Sequence, residues 1–201
     1  MFAVRVHGHG GHEVTTAASM LSVAAFVHGG YGRTLPGLDQ ERAAEPAVAF
    51  CRIDGRPILA WEPVVAPDVL IIQDEDLAHR DDVFDGLRPD GYALINSARD
   101  LADLRLADRA RQLAPGHILT VPASSIARRH LGRRHPGRPS PNAALLGAFA
   151  ALTGTLTLAD VETTVWARFS GRLADANVEA AREAFASLRR ARPRVADLVR
   201  E

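Results

Sequence analysis

The residues with the most chemical promise lie near the amino end, in His7-Gly8-His9-Gly10-Gly11-His12-Glu13. Glycines let a ligand or another chain approach the backbone closely. If a helix starts just after them, its first N–H groups have no intrahelical partners. Such a turn can cradle a phosphate or another anion, and it can equally pack against a second subunit. The imidazoles and Glu13 are also metal-ligand types, and His7 and His9, two residues apart, share one face of a strand. However, the stretch turns at glycines and lacks a zinc spacing such as His-Glu-x-x-His, so no metal set is assigned.

Two named phosphate motifs are excluded. A dinucleotide fingerprint, Gly-x-Gly-x-x-Gly, would need a glycine where Glu13 stands, and Tyr31-Gly32-Arg33-Thr34-Leu35 carries no ribose-binding acid. A Walker A loop needs a lysine, and all 24 basic residues are arginine. The single cysteine, Cys51, rules out an intrachain disulfide and a cluster ligated by this chain alone, which would take four thiolates. Within Val48-Ala49-Phe50-Cys51-Arg52-Ile53 it reads as a small buried hydrophobe rather than a reactive thiol.

These residues need elements to hold them. Phe2-Ala3-Val4-Arg5-Val6 reads as a short buried strand, and Val14–Val27, almost free of charge, as a helix of about four turns. Gly29-Gly30 supplies its C-cap. The turn-rich 30–46 stretch is long for a connection, and its Arg33 and Arg42 are suited to holding a phosphate or carboxylate bidentately. Ala47–Ile53 and Arg56–Trp61 flank Asp54-Gly55, a hairpin signal. Val69-Leu70-Ile71-Ile72 is a continuous apolar run typical of a central parallel strand, with Gln73, Asp74 and Glu75 at its carboxyl end, where open α/β sheets place their sites. Tyr92–Ser97 and His117–Ala123 repeat the pattern around a helix near Leu101–Leu113.

The 128–139 stretch reads as an arginine-rich loop without the interleaved aromatics that single-stranded nucleic acid requires. Asn142, read as an N-cap, opens a helix to Leu152 that is apolar on every face and must be buried, in this domain or against another chain. A last helix, Asn177–Ala191, places Val178, Ala181, Phe185 and Leu188 on one stripe. The expected fold is an open α/β three-layer sandwich with a mostly parallel, Rossmann-like sheet. It forms one domain over 1–201: a sheet core over 1–140 and a helical part over 141–201.

Zero formal net charge gives no global case for nucleic acid or a membrane surface. No signal peptide is visible and no apolar stretch is long enough to span a bilayer, so the expectation is a cytoplasmic protein.

Taken in order, these stretches resemble the gamma subunit or domain of the 2-oxoacid:ferredoxin oxidoreductases. The resemblance is carried by His7-Gly8-His9-Gly10-Gly11-His12, by Gln40-Glu41-Arg42 with Pro46 and Phe50-Cys51-Arg52-Ile53, and by Pro67-Asp68-Val69-Leu70-Ile71 and Gly91-Tyr92-Ala93-Leu94-Ile95-Asn96. It continues through Asn142-Ala143-Ala144-Leu145-Leu146-Gly147-Ala148 and Asn177-Val178-Glu179-Ala180-Ala181, covering essentially the whole chain. It implies a complex that converts a 2-oxoacid, coenzyme A and an oxidised acceptor such as ferredoxin into acyl-CoA, carbon dioxide and reduced acceptor. Thiamine diphosphate and iron–sulfur clusters are then expected in companion alpha, beta and delta chains, with no cofactor bound by this chain alone and no catalytic residue in it. Gly8, His9, Gly10, Gly11, His12, Arg33, Arg42 and Asn142 are the residues expected to meet coenzyme A or a companion subunit.

Departures from the family pattern fall at His12-Glu13, where the family has Gln-Gly, and at Ala43-Ala44-Glu45, which replaces a glycine-rich, arginine-bearing run. Glu13 suits a helix dipole but would repel a phosphate. The alternative is a stand-alone α/β module that binds an anionic ligand at Gly8–Gly11.

Overall fold

A computed structural model describes residues 1–9, 11–36, 46–132 and 139–198. Six strands form one sheet: β1 (Phe2–His9), β2 (Tyr31–Pro36), β3 (Pro46–Asp54), β4 (Val69–Ile72), β5 (Tyr92–Asn96) and β6 (Ile118–Val121). Their order is β2-β3-β1-β4-β5-β6. β1, β4, β5 and β6 run parallel to one another, whereas β3 pairs antiparallel with both β1 and β2. The sheet is therefore mixed, with a parallel majority, and β1 sits at the change of direction.

Alternation along the strands explains the layers. Val69 and Ile71 join Val4, Val6 and Leu94 in a large core under α1 (Gly11–Val27), α5 (Asn142–Thr153), α6 (Leu158–Arg168) and α7 (Gly171–Leu198). Leu70 and Ile72 point the other way, into a second core. There they meet Leu77 of the 3-10 turn Glu75–His79, Val83 of α2 (Asp81–Phe84) and Ala110 of α3 (Ala107–Gln112). An all-apolar strand is required when both faces are covered, as here. The remaining helix, α4 (Ala123–Leu131), leads off β6 and packs against α5 and α7.

The buried helix finds its partners inside the domain. α5 is fully apolar because α7 lies along it while α4, α6 and α1 close its other sides. Gly147 makes that approach possible: a Cβ there would stand 2.2 Å from the Ala181 carbonyl oxygen. Gly29 and Gly154 take the left-handed conformation that the expected C-caps require, at φ 92° and 68°.

Several expectations are corrected. Asp54-Gly55 does not form a hairpin with Arg56–Trp61, which is irregular. Both edges of β3 are already paired, with β1 on one side and β2 on the other, so the segment after Gly55 has no ladder to join, and Arg33 donates to its Ala60 carbonyl instead. Pro57 and Pro63 also lack the N–H such a strand would donate. Arg128–Leu131 belong to α4, with Gly132 as its C-cap, rather than to a loop, and residues 133–138 of the expected loop lie outside the described residues. The helix expected near 101–113 shortens to Ala107–Gln112, whereas the last helix lengthens to Gly171–Leu198. α6 was not expected. Its signal was present in Thr157 and Asp160, which form a reciprocal capping box.

Replacing Gly147 with alanine should destabilise the chain by about 1–3 kcal/mol through overpacking. Alanine's better helix propensity, about 1 kcal/mol, offsets part of the steric cost. Gly55→Ala, with nothing within 4 Å of the new Cβ, serves as the control. Urea unfolding at neutral pH reads both; equal midpoints for the two variants would contradict the close α5–α7 contact.

Candidate functional site

The carboxyl ends of the parallel strands converge on a cleft of about 240 Å³. It is lined by His9, Gln73 and Asp74 from the strand ends and their following turns, by Glu13 of α1 and Ser124 of α4, and by Pro139, Ser140 and Pro141. Gly8, near the end of β1, lies beside it because nothing larger fits. An added Cβ would lie 2.7 Å from Gln73 Oε1 and 2.9 Å from Val14 Cγ1. The glycine thus presses β1 against the end of β4 and the start of α1.

Gln73 and Asn142, both buried, lock this contact. Gln73 Nε2 donates to Asn142 Oδ1 at 2.8 Å, and Asn142 Nδ2 donates to the Glu13 carbonyl at 3.1 Å and to Glu13 Oε2 at 3.0 Å. Ser140 Oγ donates to the same carboxylate oxygen at 2.6 Å. The α5 start is therefore tied to the α1 start through one carboxylate and one amide pair. Asn142 is not the N-cap of α5. The cap position is Pro141 without a side-chain bond, and the Asn142 amide is used for the cross-brace. Glu13, the departure noted above, is an acceptor for two side chains that a glycine could not hold.

A second amide completes the edge. Asn96 Nδ2 donates to the Gln73 carbonyl and to Ser124 Oγ, each at 2.8 Å, while its Oδ1 accepts from the Ser124 N–H at 3.0 Å. Ser124 and Ser140 escaped the sequence reading. Asn96, already visible at a strand's carboxyl end, was the available signal for this edge. Two carboxylates, Glu13 and Asp74, line the cleft, so its field disfavours an anion.

The histidines separate. The His9 N–H donates to Asp74 Oδ2 at 2.8 Å, and His9 Nε2 meets Asp76 Oδ2 at 3.0 Å, which holds the Asp76 carboxyl below its ordinary range. His7 lies on the same strand face but one pleat back, where its Nε2 accepts from Arg5 Nε at 3.0 Å. That bond fixes the neutral Nδ1–H tautomer. Burial, reinforced by the Arg5 charge, pushes His7 from 6.5 to about 4. Among the described residues, no three His, Cys, Asp or Glu side chains are grouped to hold a metal. Burial raises the Cys51 thiol to about 12, in keeping with an inert core residue.

Of the residues singled out from sequence, Gly8, His9 and Asn142 come together at the cleft. Gly11 and His12 open α1 beside it, whereas Gly10 and Arg42 lie outside the described residues. Arg33 is elsewhere. It pairs in register with Arg52, and Arg52 with Ala3, which places it five residues along β1 from Gly8. That is about 17 Å along the strand at ~3.3 Å per residue.

What remains is a braced, anion-averse edge without a paired nucleophile and base among the described residues, on a sheet that reverses direction at β1. These features define an α/β domain whose sheet edge is fixed by side-chain hydrogen bonds. Residues 3–187 match the pyruvate ferredoxin/flavodoxin oxidoreductase family, and the chain belongs to it. It is 37% identical over 187 residues to the pyruvate/ketoisovalerate oxidoreductases common subunit gamma of Pyrococcus abyssi, covering 92% of this chain and 96% of that protein. It is 36% identical over 189 residues to the pyruvate synthase subunit PorC of Methanothermobacter marburgensis, covering 94% and 98%. The crystal structure of the pyruvate oxidoreductase subunit PORC from Thermotoga maritima superposes with a TM-score of 0.74 at 30% identity, covering 92% and 95%.

Two measurements follow. Asn142→Ala strands the buried Gln73 amide and should cost about 1–3 kcal/mol of stability, read by urea unfolding; a neutral result would dissolve the brace. His7 binds a proton more weakly folded than unfolded, so its contribution is full above about 6.5 and is lost as pH falls toward about 4. The loss is on the order of 3 kcal/mol at most, because each tenfold weakening of proton binding is worth ~1.4 kcal/mol. Urea midpoints at pH 7 and 4.5 should therefore diverge more for the native chain than for His7→Asn; equal divergence would contradict the assignment.

Proposed function

We propose that this chain serves as the gamma subunit of a multi-subunit complex that oxidises a 2-oxoacid with coenzyme A. The products are acyl-CoA, carbon dioxide and a reduced acceptor such as ferredoxin. In this reading companion alpha, beta and delta subunits carry thiamine diphosphate and the iron–sulfur clusters. The residues here do not fit either group: one buried cysteine cannot ligate a cluster, and no Gly-Asp-Gly thiamine diphosphate signature occurs. The observation that carries the reading is the near full-length likeness to gamma-type subunits, joined to an edge braced for contact rather than armed for catalysis.

The glycine turn, with Gly8, His9, Gly10, Gly11 and His12, and Asn142 behind it, is the edge assigned to coenzyme A or a companion subunit. Glu13 and Asp74 in the lining favour a subunit contact over a phosphate at the cleft itself. The phosphates of coenzyme A need a basic side chain, and Arg42 is the residue assigned to them.

In a reconstituted complex, omitting this chain should abolish 2-oxoacid- and coenzyme-A-dependent reduction of the acceptor, and adding it back should restore the rate. Arg42→Ala should raise the apparent KM for coenzyme A severalfold with kcat little changed. Unchanged coenzyme A kinetics would leave the turn to subunit contact alone.

A further inference from the structure

Among the described residues, the face of β1, β2 and β3 turned away from α1 is the most sparsely covered part of the sheet. Among the described residues it carries only the irregular 55–66 segment and the α2 end, over a small core of Ala3, Phe50 and Val64. A cleft of about 410 Å³ opens there, with Val48, Phe50, Val64 and Val65 as apolar walls and Arg5 and His7 on its floor.

Arg5 is the unusual feature. It is 8% exposed, and Nη2 donates to the carbonyls of Val83 and Asp85 at 2.8 and 2.7 Å while Nε donates to His7. Among the described residues, no carboxylate lies within ion-pair distance of it and Nη1 makes no hydrogen bond. Of the two acids at the cleft, Asp82 is claimed by Arg80 through bonds of 3.0 and 2.8 Å, and Asp85 accepts from Arg5 through its backbone carbonyl while its carboxylate acts on the guanidinium from beyond ion-pair distance. Burial pulls the guanidinium below its ordinary pKa, against the opposing fields of Asp85 and Asp82. A buried charge ordinarily has a hydrogen-bonded ionic partner, because an unpaired one is costly.

The segment that supplies the cleft wall is apolar and held in place. Val65 of the wall is 78% exposed, and Leu59 and Trp61 just before it in the same segment are 83% and 70% exposed, three of the eight large exposed hydrophobics among the described residues. Arg33 stacks on the Trp61 ring at 3.8 Å, and Arg52 donates to the Glu62 carbonyl at 2.6 Å. Gly86, at φ 77°, lets the Val65 carbonyl approach so closely that a Cβ would stand 2.1 Å from its oxygen. Exposed apolar clusters around a desolvated charge are typical of interface centres. α5, the other all-apolar surface, is already used inside the domain.

We propose that this open sheet face is where a companion subunit of the complex docks, by inserting a carboxylate side chain flanked by apolar residues so that the carboxylate pairs with Arg5. The inference rests on the gamma-subunit reading and adds the surface and the chemistry of the partner.

The test is titration of the chain into its companion subunits, with assembly read by native mass spectrometry. Leu59→Asp and Val65→Asp sit on exposed positions, so the chain's own melting temperature should hold while Kd rises at least tenfold. Phe26→Asp, equally exposed on α1, should change Kd less than twofold. Arg5→Gln should also lose at least tenfold; if it does not fold, Val48→Trp, which fills the cleft, is the substitute. Equal Kd for the native chain and both aspartate variants overturns the surface. A tenfold loss in those two, with no loss in Arg5→Gln or its substitute, overturns the carboxylate. A homodimer of the native chain that these substitutions disrupt also overturns it, because the occupant would then be a second copy. If the native chain binds no companion, the gamma-subunit reading fails and takes this inference with it.

Discussion

Strand β1 has to satisfy two neighbours of opposite direction at once, and the rest of the structure follows from that constraint. It pairs antiparallel with β3 along its whole length and parallel with β4 from Val4 to His7. Its even positions are apolar because they enter the main core under α1, ending at Gly8, which must clear Gln73. Its odd positions, Ala3, Arg5, His7 and His9, face the opposite surface. One strand therefore supplies the braced edge at its carboxyl end and the arginine-floored cleft along its back.

Much of this was legible in the sequence. The strand–glycine–helix opening, the apolar β4 and the glycine caps followed from local patterns that physical chemistry restricts to few conformations. The pairing of β3 was not legible. Asp54-Gly55 is a good turn signal, but β3 is flanked by β1, which precedes it by some forty residues, and by β2, so a following strand finds neither edge free. The site divides in the same way. Gly8 was visible from its type, whereas the partnership of Glu13, Ser140 and Asn142 joins residues more than 120 positions apart and leaves no local trace. Asn142 misled for a related reason, since an asparagine opening a helix caps it unless a tertiary partner competes.

The two surfaces divide the chain's task chemically. At the carboxyl edge, amides and hydroxyls satisfy one another, and the free charge is negative. On the back of the sheet the buried charge is positive and lacks an ionic partner among the described residues. Among the described residues neither place assembles a nucleophile with its base.

The most direct measurement is native co-purification of the tagged chain, with cofactor analysis of what it brings down. The account predicts recovery of subunits that contain thiamine diphosphate and iron–sulfur, in fixed stoichiometry with this chain. Recovery of the chain alone, monomeric and free of partners, would contradict it and leave a stand-alone domain that shares the family's fold.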